Sequence, residues 1–321
     1  MFKNCRIAGK GINSEAYHKQ EAPRGDIKHA MSPSSLKLFA ECPSRYIAGY
    51  EPPSSEAKDW GNLLDVLFLT PESFQGRFSV KPATYPAEPA KKGAEAIQKP
   101  FNANSTWCKA WIEEQGNKTV ISQSEQAEAQ QAVKTLLADE TIAEYRACSD
   151  VQVHVVGEWH DKGTKLVIPV QCLIDLVPKP DSVFQKSLGD LKSTRNASLN
   201  TFGRWCYTAG YHIQAAFDLA LYTAATGEDR TDWNFVLQEN YPPFQTGRRL
   251  LGQDLLQIGE QTYRHALERY TRCLESGQWD SYDPPEEWSI VNAEPWMEFN
   301  ALESNMEHLQ TTPEPAGEII P

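Results

Sequence analysis

The sequence predicts an α/β fold in which a central mixed sheet is flanked by helices and preceded by a helical N-terminal part. Two observations carry this prediction. Between about residues 151 and 193, alternating and continuous apolar runs are typical of neighbouring strands. Apolar residues then recur at helical spacing from 213 to 224, before a further strand and a long helix. This order of elements indicates one α/β domain.

The N-terminal half is predicted to be mainly helical. A helix begins near the run 32–35 (SPSS), because serine side chains cap free N–H groups. A second helix covers 60–69 and ends at Thr70-Pro71, since proline breaks a helix. A third covers 122–145, and residues 81–106 are expected to be an exposed connection or insertion.

The second half is predicted to contain four strands and two helices. A turn at 161–163 (DKG) joins the first two strands. The strands are expected at 151–160, 166–177, 183–193 and 233–239, and the helices at 213–227 and 254–276.

Three segments divide the chain. Residues 1–27 show no sustained period and are interpreted as a flexible arm. Residues 28–300 form the single predicted domain, and 301–321 are expected to be an acidic flexible tail.

The composition excludes several classes of protein. The net charge of −12 argues against a protein that coats nucleic acid through its overall charge. The chain lacks a long apolar run and begins without a signal-peptide pattern, so the expectation is a cytoplasmic protein without a membrane partner. Seven scattered cysteines without a CxxC pair indicate neither disulfides nor zinc, and without a phosphate loop no ATP use is expected.

The strongest chemical signal joins two predicted strands. Asp175 lies in the apolar run CLIDLV, and Asp190-Leu191-Lys192 follows in the next strand. Side chains alternate along a strand, so Asp190 and Lys192 share a face while Leu191 turns to the core. Two carboxylates and the Leu191 carbonyl suit Mg²⁺, and Lys192 can orient water or offset charge on a phosphate. An Asp…Asp-x-Lys pattern also arises by chance, so other segments must support this interpretation.

An ordered set of segments resembles the RecE-type, exodeoxyribonuclease VIII-like exonucleases of phages and prophages, within the PD-(D/E)XK superfamily. The resemblance covers about residues 30 to 298. It is carried by SPSSL at 32–36, Cys42-Pro43, GNLLDVLFLTPESF at 61–74, DLKST at 190–194, Gly210-Tyr211, Gln214-Ala215-Ala216, Gln238-Glu239, Pro242-Pro243-Phe244 and Gly277-Gln278-Trp279.

The resemblance implies a restriction-endonuclease-like core and a particular activity. Asp175, Asp190, Lys192 and Gln214 would be catalytic, with Asp175, Asp190 and the Leu191 carbonyl holding Mg²⁺, for which Mn²⁺ would substitute. The implied enzyme degrades linear double-stranded DNA from 5′ to 3′ and leaves 3′ single strands for recombination. The implied partners are a RecT-like annealing protein and further copies in a ring-like trimer or tetramer, inside a bacterial host cell.

The chain departs from the family pattern at two positions. Asp65 stands where members commonly have a histidine ligand, and we expect it to bind the metal because carboxylates suit Mg²⁺. Asp218 stands where a tyrosine is usual, which affects a DNA contact rather than the metal site. Some superfamily members carry an iron–sulfur cluster built from one early and three late cysteines. Only Cys273 lies in the last third here, so no cluster is expected.

Further candidates are less specific. Glu158 is an additional candidate ligand near His154 and His160, although a solvated strand face explains this set better. The candidate DNA or phosphate contacts are Ser34, Ser35, Arg45, Arg195 and Tyr211, together with other cations near the matched segments. Two alternatives stay open, namely an endonuclease or single-strand nuclease of the same fold, and a catalytically silent nuclease-fold protein that binds or assembles.

Overall fold

The computed structural model describes residues 1–12, 17–53, 55–87, 96–283 and 288–292. The chain divides into two compact units, Met1–Trp279 and Asp280–Pro321. In the described part of the second unit, residues 280–283 and 288–292 form neither helix nor strand. The predicted acidic tail, 301–321, and residues 88–95 of the predicted insertion lie outside the described residues.

The first unit is built on a six-stranded mixed sheet, which confirms the predicted α/β fold. The strands are β1 (Phe2–Gly9), β6 (Ser149–His160), β7 (Val167–Pro178), β8 (Ser187–Thr194), β9 (Asp232–Glu239) and β10 (Thr246–Leu250), in that spatial order. All neighbours are antiparallel except β8 and β9, which are parallel. A helical crossover joins these two, as parallel pairing requires.

Helices cover both faces of this sheet. They are α1 (Pro33–Glu41), α2 (Pro43–Ile47), α3 (Glu56–Leu69), α4 (Phe74–Arg77), α5 (Thr106–Glu114), α6 (Gln123–Ala138), α7 (Glu140–Ala147), α8 (Leu199–Thr208), α9 (Tyr211–Thr226) and α10 (Gln253–Ser276). Residues of α1, α2, α8, α9 and α10 form one apolar cluster with the sheet, and α3, α6 and α7 form another. Two small pairings, β2 (Phe78–Val80) with β5 (Thr119–Ile121) and β3 (Thr84–Ala87) with β4 (Ile97–Pro100), complete the described strands.

Local capping explains where several helices begin. Ser32 accepts a hydrogen bond from the Ser35 N–H, so α1 begins where the sequence predicts. Ser55 caps α3 in the same way, and α3 therefore begins at Glu56, four residues before the predicted start. The predicted helix over 122–145 is two helices, because the Asp139 side chain accepts from the N–H groups of Thr141 and Ile142 and starts α7.

The predicted flexible arm contains a strand that the sequence analysis missed. Strand β1 pairs with β6, and the register shifts between Lys3 and Arg6 and again between Ile7 and Gly9. These irregularities break the two-residue period by which a strand is recognised. Strand β10 was also missed, because its short edge sequence TGRRL is mostly polar. None of the described helices is long and apolar enough to cross a membrane.

A buried arginine fastens β7 to β8 at the end of the sheet pair. The Arg230 guanidinium donates to the Pro178 carbonyl at 2.9 Å and to the Ser187 carbonyl at 3.2 Å. It also pairs with the Glu228 carboxylate at 2.5 Å, and its side chain is only 1% exposed. The last residue of β7 and the first of β8 are therefore held by one side chain.

We expect Arg230→Ala to lower the free energy of unfolding by about 2–4 kcal/mol, because it leaves buried carbonyls and a carboxylate without their charged donor. Urea unfolding followed by circular dichroism measures this change. Lys186→Ala is the matched control, since it removes an ion pair with Asp229 whose side chains are 57% and 76% exposed. The control is expected to change the free energy of unfolding by less than about 0.5 kcal/mol. An equal decrease in both variants would contradict the stabilising role of Arg230 between β7 and β8.

Candidate active site

The candidate site forms where β7 and β8 lie side by side. Leu176 pairs with Gly189 across these strands, and the antiparallel register sets Asp175 opposite Asp190. The Asp175 carboxylate accepts a hydrogen bond from the backbone N–H of Leu191 at 3.0 Å. The strands predicted to carry the two carboxylates are thus neighbours, as the sequence interpretation required.

An irregularity on the neighbouring strand β6 coincides with this position. The pairing of Val151 with Leu176 and of Val153 with Ile174 sets Gln152 opposite Asp175. Gln152 has a φ of 45°, in the left-handed region that few residues other than glycine adopt. Strained backbone of this kind often occurs at functional sites, where surrounding packing maintains it.

Lys192 lies beside Asp190 and is held from three directions. Its ammonium is 2.5 Å from an Asp190 carboxylate oxygen and 3.5 Å from the Gln214 side-chain carbonyl oxygen, to which it donates. It also lies 4.8 Å from the centre of the Tyr211 ring, within cation–π range. Leu191, between the two charged residues, packs into the core with α3 and α6.

Helix α9 supplies the groups that fix Asp190 and Lys192. The Gln214 amide donates to Asp190 at 3.1 Å while its carbonyl accepts from Lys192, so one side chain contacts both ions. Tyr211 is three residues earlier on the same helix face. Gly210 precedes the helix with a φ of 67°, a conformation that glycine adopts without steric cost.

Helix α3 brings Asp65 to the same site. A Cβ at Gly61 would lie 3.3 Å from the Ser193 hydroxyl oxygen, so glycine permits the close approach of α3 to β8. The pKa of Asp65 is raised to about 7, chiefly by burial and also by Asp190, although Lys192 and Arg77 oppose the increase. Asp65 therefore belongs to the same group of charges as Asp190 and Lys192.

The carboxylates of this group repel one another. The pKa of Asp175 is raised well above its ordinary value, first by burial and then by the charges of Asp190 and Asp65. Burial opposes the charge on Lys192, but Asp190, Tyr211 and Asp175 outweigh it, so the pKa of Lys192 is raised. Three carboxylates thus surround one ammonium that stays charged at neutral pH.

The donor set fits a hard divalent cation. Carboxylate oxygens are the ligands Mg²⁺ prefers, and a cation would relieve the mutual repulsion of Asp65, Asp175 and Asp190. In the described part of the chain, no three His, Cys, Asp or Glu side chains are placed so that together they could hold a metal ion. Mg²⁺ commonly uses one or two carboxylates with water and substrate phosphate, so a site here would not need all three carboxylates as ligands.

Two other charged residues lie next to the site. The Lys37 ammonium donates to the Ala209 carbonyl at 3.3 Å and lies 5.5 Å from the Tyr211 ring centre. Its pKa is lowered to about 8, first by burial and then by Lys192. Asp218, the second departure from the family pattern, is buried, and burial followed by the charge of Asp190 raises its pKa well above the ordinary value. The ionised form of Asp218 is consequently disfavoured by its surroundings.

The structure does not bring Glu158 to these residues. Glu158 lies six residues along β6 from Gln152, which is about 20 Å at the rise of a strand. It accepts hydrogen bonds from Asn4 at 2.7 Å and pairs with His160 at 2.8 Å. His154 instead contacts the Gln171 side chain at 3.1 Å. The candidate ligand is therefore engaged in local contacts elsewhere on the sheet.

The other predicted DNA contacts are spread over several elements. Ser35 and the exposed Ser34 lie in the first turn of α1, each with its hydroxyl 3.0 Å from that of Ser32. Arg45 contacts Glu41 at 3.1 Å and stacks on Tyr50 at 3.8 Å. Arg195 lies just beyond β8, in a cavity described below. Of this set, Tyr211 alone contacts Lys192 directly among the described contacts.

Sequence reasoning missed the contribution of Arg77 and gave no specific role to Lys37. Arg77 ends α4, far from the strands in sequence, and nothing in its neighbourhood distinguishes it from other surface cations. Lys37 follows Ser34 by one helical turn, so the pattern at α1 gave the only signal for it.

Comparisons with known proteins agree with this geometry. No curated protein gives a significant match to the chain. A crystal structure from Eubacterium rectale, described as a “putative exonuclease”, is similar with a TM-score of 0.55 over 91% of this chain and 99% of that chain. The sequence identity is 16%, so this likeness shows the fold alone.

A family model described as a PDDEXK-like domain of unknown function (DUF3799) matches residues 32–284. The matched segment contains Asp65, Asp175, Asp190 and Lys192, and it covers more than three quarters of the chain. The predicted superfamily is thereby confirmed, and membership in it supports a nuclease. The chain belongs to the PDDEXK-like domain family.

Proposed function

We propose that this protein is a metal-dependent exodeoxyribonuclease that hydrolyses phosphodiester bonds of linear double-stranded DNA. The observation that carries the proposal is the grouping of Asp175, Asp190 and Lys192 where β7 and β8 meet. Oxygen ligands for a hard cation and a fixed ammonium are the groups that phosphodiester hydrolysis needs. Membership of a PDDEXK-like family supports the same chemistry.

Mg²⁺ is the proposed cofactor, and Mn²⁺ is expected to substitute. The proposed ligands are drawn from Asp65, Asp175, Asp190 and the Leu191 carbonyl, with the remaining positions left to water and DNA phosphate. When bound, the cation polarises the scissile phosphate and lowers the pKa of a water that can attack it. Its charge also offsets the repulsion among the carboxylates.

Lys192 has a role that follows from its protonation. Because neighbouring acidic groups raise its pKa, Lys192 remains an ammonium and does not serve as a general base near pH 7. An ammonium can donate a hydrogen bond to the attacking water or to a phosphate oxygen on which charge develops. Gln214 contacts both Asp190 and Lys192 and is therefore a positioning residue for both.

The finer features of the proposal come from the resemblance to RecE-type exonucleases. They are 5′ to 3′ polarity, release of a 3′ single strand for recombination, a RecT-like annealing partner and a ring-like homo-oligomer in the cytoplasm of a bacterial host. The sequence contains no phosphate-loop motif. Hydrolysis itself would then drive progress along the strand.

The first prediction concerns the reaction. We expect the wild type to degrade a 5′-phosphorylated linear duplex with Mg²⁺ but not with EDTA. Asp190→Asn and Lys192→Met should each lower the rate by at least ~10²-fold, since each removes several kcal/mol of charge stabilisation. Gel electrophoresis of end-labelled duplex measures the rate and the polarity.

Glu158→Gln is the matched control for this experiment, because Glu158 is an acidic residue distant from the site. It should degrade DNA at the wild-type rate. A covalently closed circle should survive, because an exonuclease needs a DNA end. Cleavage of the circle would show that the protein is an endonuclease instead. An intact duplex under all metal conditions would favour a silent nuclease-fold binding protein.

A second prediction concerns Asp65 and the metal. The folded-state pKa of about 7 exceeds the ordinary 3.8, so ionisation in the folded protein is costly. Without metal, the wild type should lose stability as pH rises from about 4 to 7. Asp65→Asn removes this cost, and in EDTA at pH 8 it should be more stable by on the order of 1–3 kcal/mol. Thermal unfolding at pH 5 and pH 8 measures both effects.

Added metal should reverse this order of stability. A ligand at 100 times its Kd stabilises the folded state by about 2.7 kcal/mol, and Asp65→Asn should lose most of that gain with Mn²⁺. Asp59→Asn, an exposed position on the same helix, is the control and should respond to Mn²⁺ as the wild type does. Equal stabilisation of all three proteins by Mn²⁺ would exclude Asp65 as a ligand.

A further inference from the structure

A cavity of about 800 Å³ begins directly beside the candidate active site. Ser193, the residue after Lys192 on β8, forms part of its wall. The other residues important here are Arg195, Asn200, Arg204, Trp205 and Asn240. At about 3.3 Å per residue, Arg195 is within roughly 10 Å of Lys192 along the chain. If a phosphate of a DNA strand lies at Lys192, the adjacent nucleotides of that strand are close enough to enter this cavity.

Helix α8 presents one of its faces to the cavity. Asn200, Arg204 and Thr208 recur every four residues, and Thr201 and Trp205 lie beside them on the same face. The opposite face carries Phe202 and Cys206, which are buried in the main core. The cavity-facing side of α8 is consequently free of a packing role.

Trp205 is prominent on this face because its side chain is largely accessible. It is 54% exposed, and it makes no ring contact with any aromatic residue in the described part of the chain. A tryptophan ring in this state offers a flat apolar surface against which a planar ligand can stack. Nucleobases bind exposed aromatic side chains in this way.

The charges around the cavity favour an anionic ligand. Arg195 and Arg204 line it, and among the residues that the structure describes no aspartate or glutamate does, although the net charge of the chain is −12. Neither guanidinium forms an ion pair or donates a hydrogen bond among the described residues. Two cations without partners attract phosphate, and arginine binds phosphate with two parallel hydrogen bonds.

A second cavity, of about 680 Å³, gives a contrast on the same surface. It shares Arg195 and Asn240 with the first cavity but is also lined by Glu56, Asp59 and Glu125. Three acidic residues beside one arginine repel a phosphate backbone. The two cavities therefore differ in charge, and only the first suits nucleic acid.

The size of the first cavity restricts the form of the DNA. Its volume is in the range that encloses a drug-sized ligand, which is comparable to one or two nucleotides and far smaller than a duplex. Stacking on Trp205 further requires a base that has left its own stack.

We propose that this cavity binds single-stranded DNA next to the scissile phosphate, with a base stacked on Trp205 and phosphates bound by Arg195 and Arg204. The proposal rests on the proposed nuclease function for the identity of the ligand.

The test measures binding without hydrolysis. A short single-stranded DNA of mixed sequence, labelled with fluorescein at its 3′ end, is titrated in EDTA and followed by fluorescence anisotropy. Trp205→Ala should weaken binding roughly 5- to 150-fold, which corresponds to the loss of one base stack. Trp205→Phe should retain most of the affinity, because phenylalanine keeps an aromatic surface.

The arginines are tested through salt dependence. Arg195→Ala combined with Arg204→Ala should reduce the slope of log K against log salt by about 1.4, since each phosphate contact on a single strand contributes about 0.7.

Trp107→Ala is the matched control for Trp205→Ala, because Trp107 is 38% exposed on α5 and outside the cavity. It should bind single-stranded DNA as the wild type does.

The outcomes separate this inference from the proposed function. Wild-type affinity in Trp205→Ala, with folding confirmed by circular dichroism, would overturn the cavity proposal even if the enzyme degrades DNA with Mg²⁺. Trp205-dependent binding by a protein that degrades no DNA under any metal condition would support the cavity and reject the nuclease. A wild-type salt slope in the double arginine variant would likewise overturn the assignment of the phosphate contacts.

Discussion

Electrostatic repulsion among Asp65, Asp175 and Asp190 is the constraint on which the rest of this structure depends. Burial raises the pKa values of Asp65 and Asp175, and the charge of Asp190 raises both further. Lys192 offsets only one of these charges. A fold optimised for stability alone would place apolar residues here, because buried ion pairs rarely stabilise more than a packed core does. The cost is consistent with a site that is completed by a cation.

The supporting contacts show how the fold holds the carboxylates in place despite this repulsion. The backbone N–H of Leu191 donates to Asp175, and the amide of Gln214 donates to Asp190, so each of these two carboxylates has a neutral donor. Leu191 packs in the core and so anchors β8. Gln152, with its positive φ, interrupts the pairing of β6 with β7 opposite Asp175. Hydrogen bonds from fixed donors keep the charged groups oriented without neutralising them.

The sequence predicted the centre of this site better than its surroundings. Asp190 and Lys192 share a strand, so the two-residue period was enough to place them together. Asp175 needed only that two successive strands be neighbours, which is the common arrangement. Arg77, by contrast, is brought to Asp65 by tertiary packing that leaves no local pattern. The prediction missed β1 for a similar reason. Its bulges remove the two-residue period of a strand, and its pairing partner lies about 150 residues away in the chain.

The charge distribution also bears on how such an enzyme would stay on DNA. With a net charge of −12, the protein as a whole repels a phosphate backbone, so attraction must come from a few local cations. Few phosphate contacts give weak binding, and such a complex dissociates readily. Repeated cleavage along one strand would then require that the protein enclose the DNA, because phosphate contacts alone would not keep the two bound. Enclosure by several copies satisfies this requirement without adding positive charge, and this gives the proposed ring a physical reason independent of resemblance.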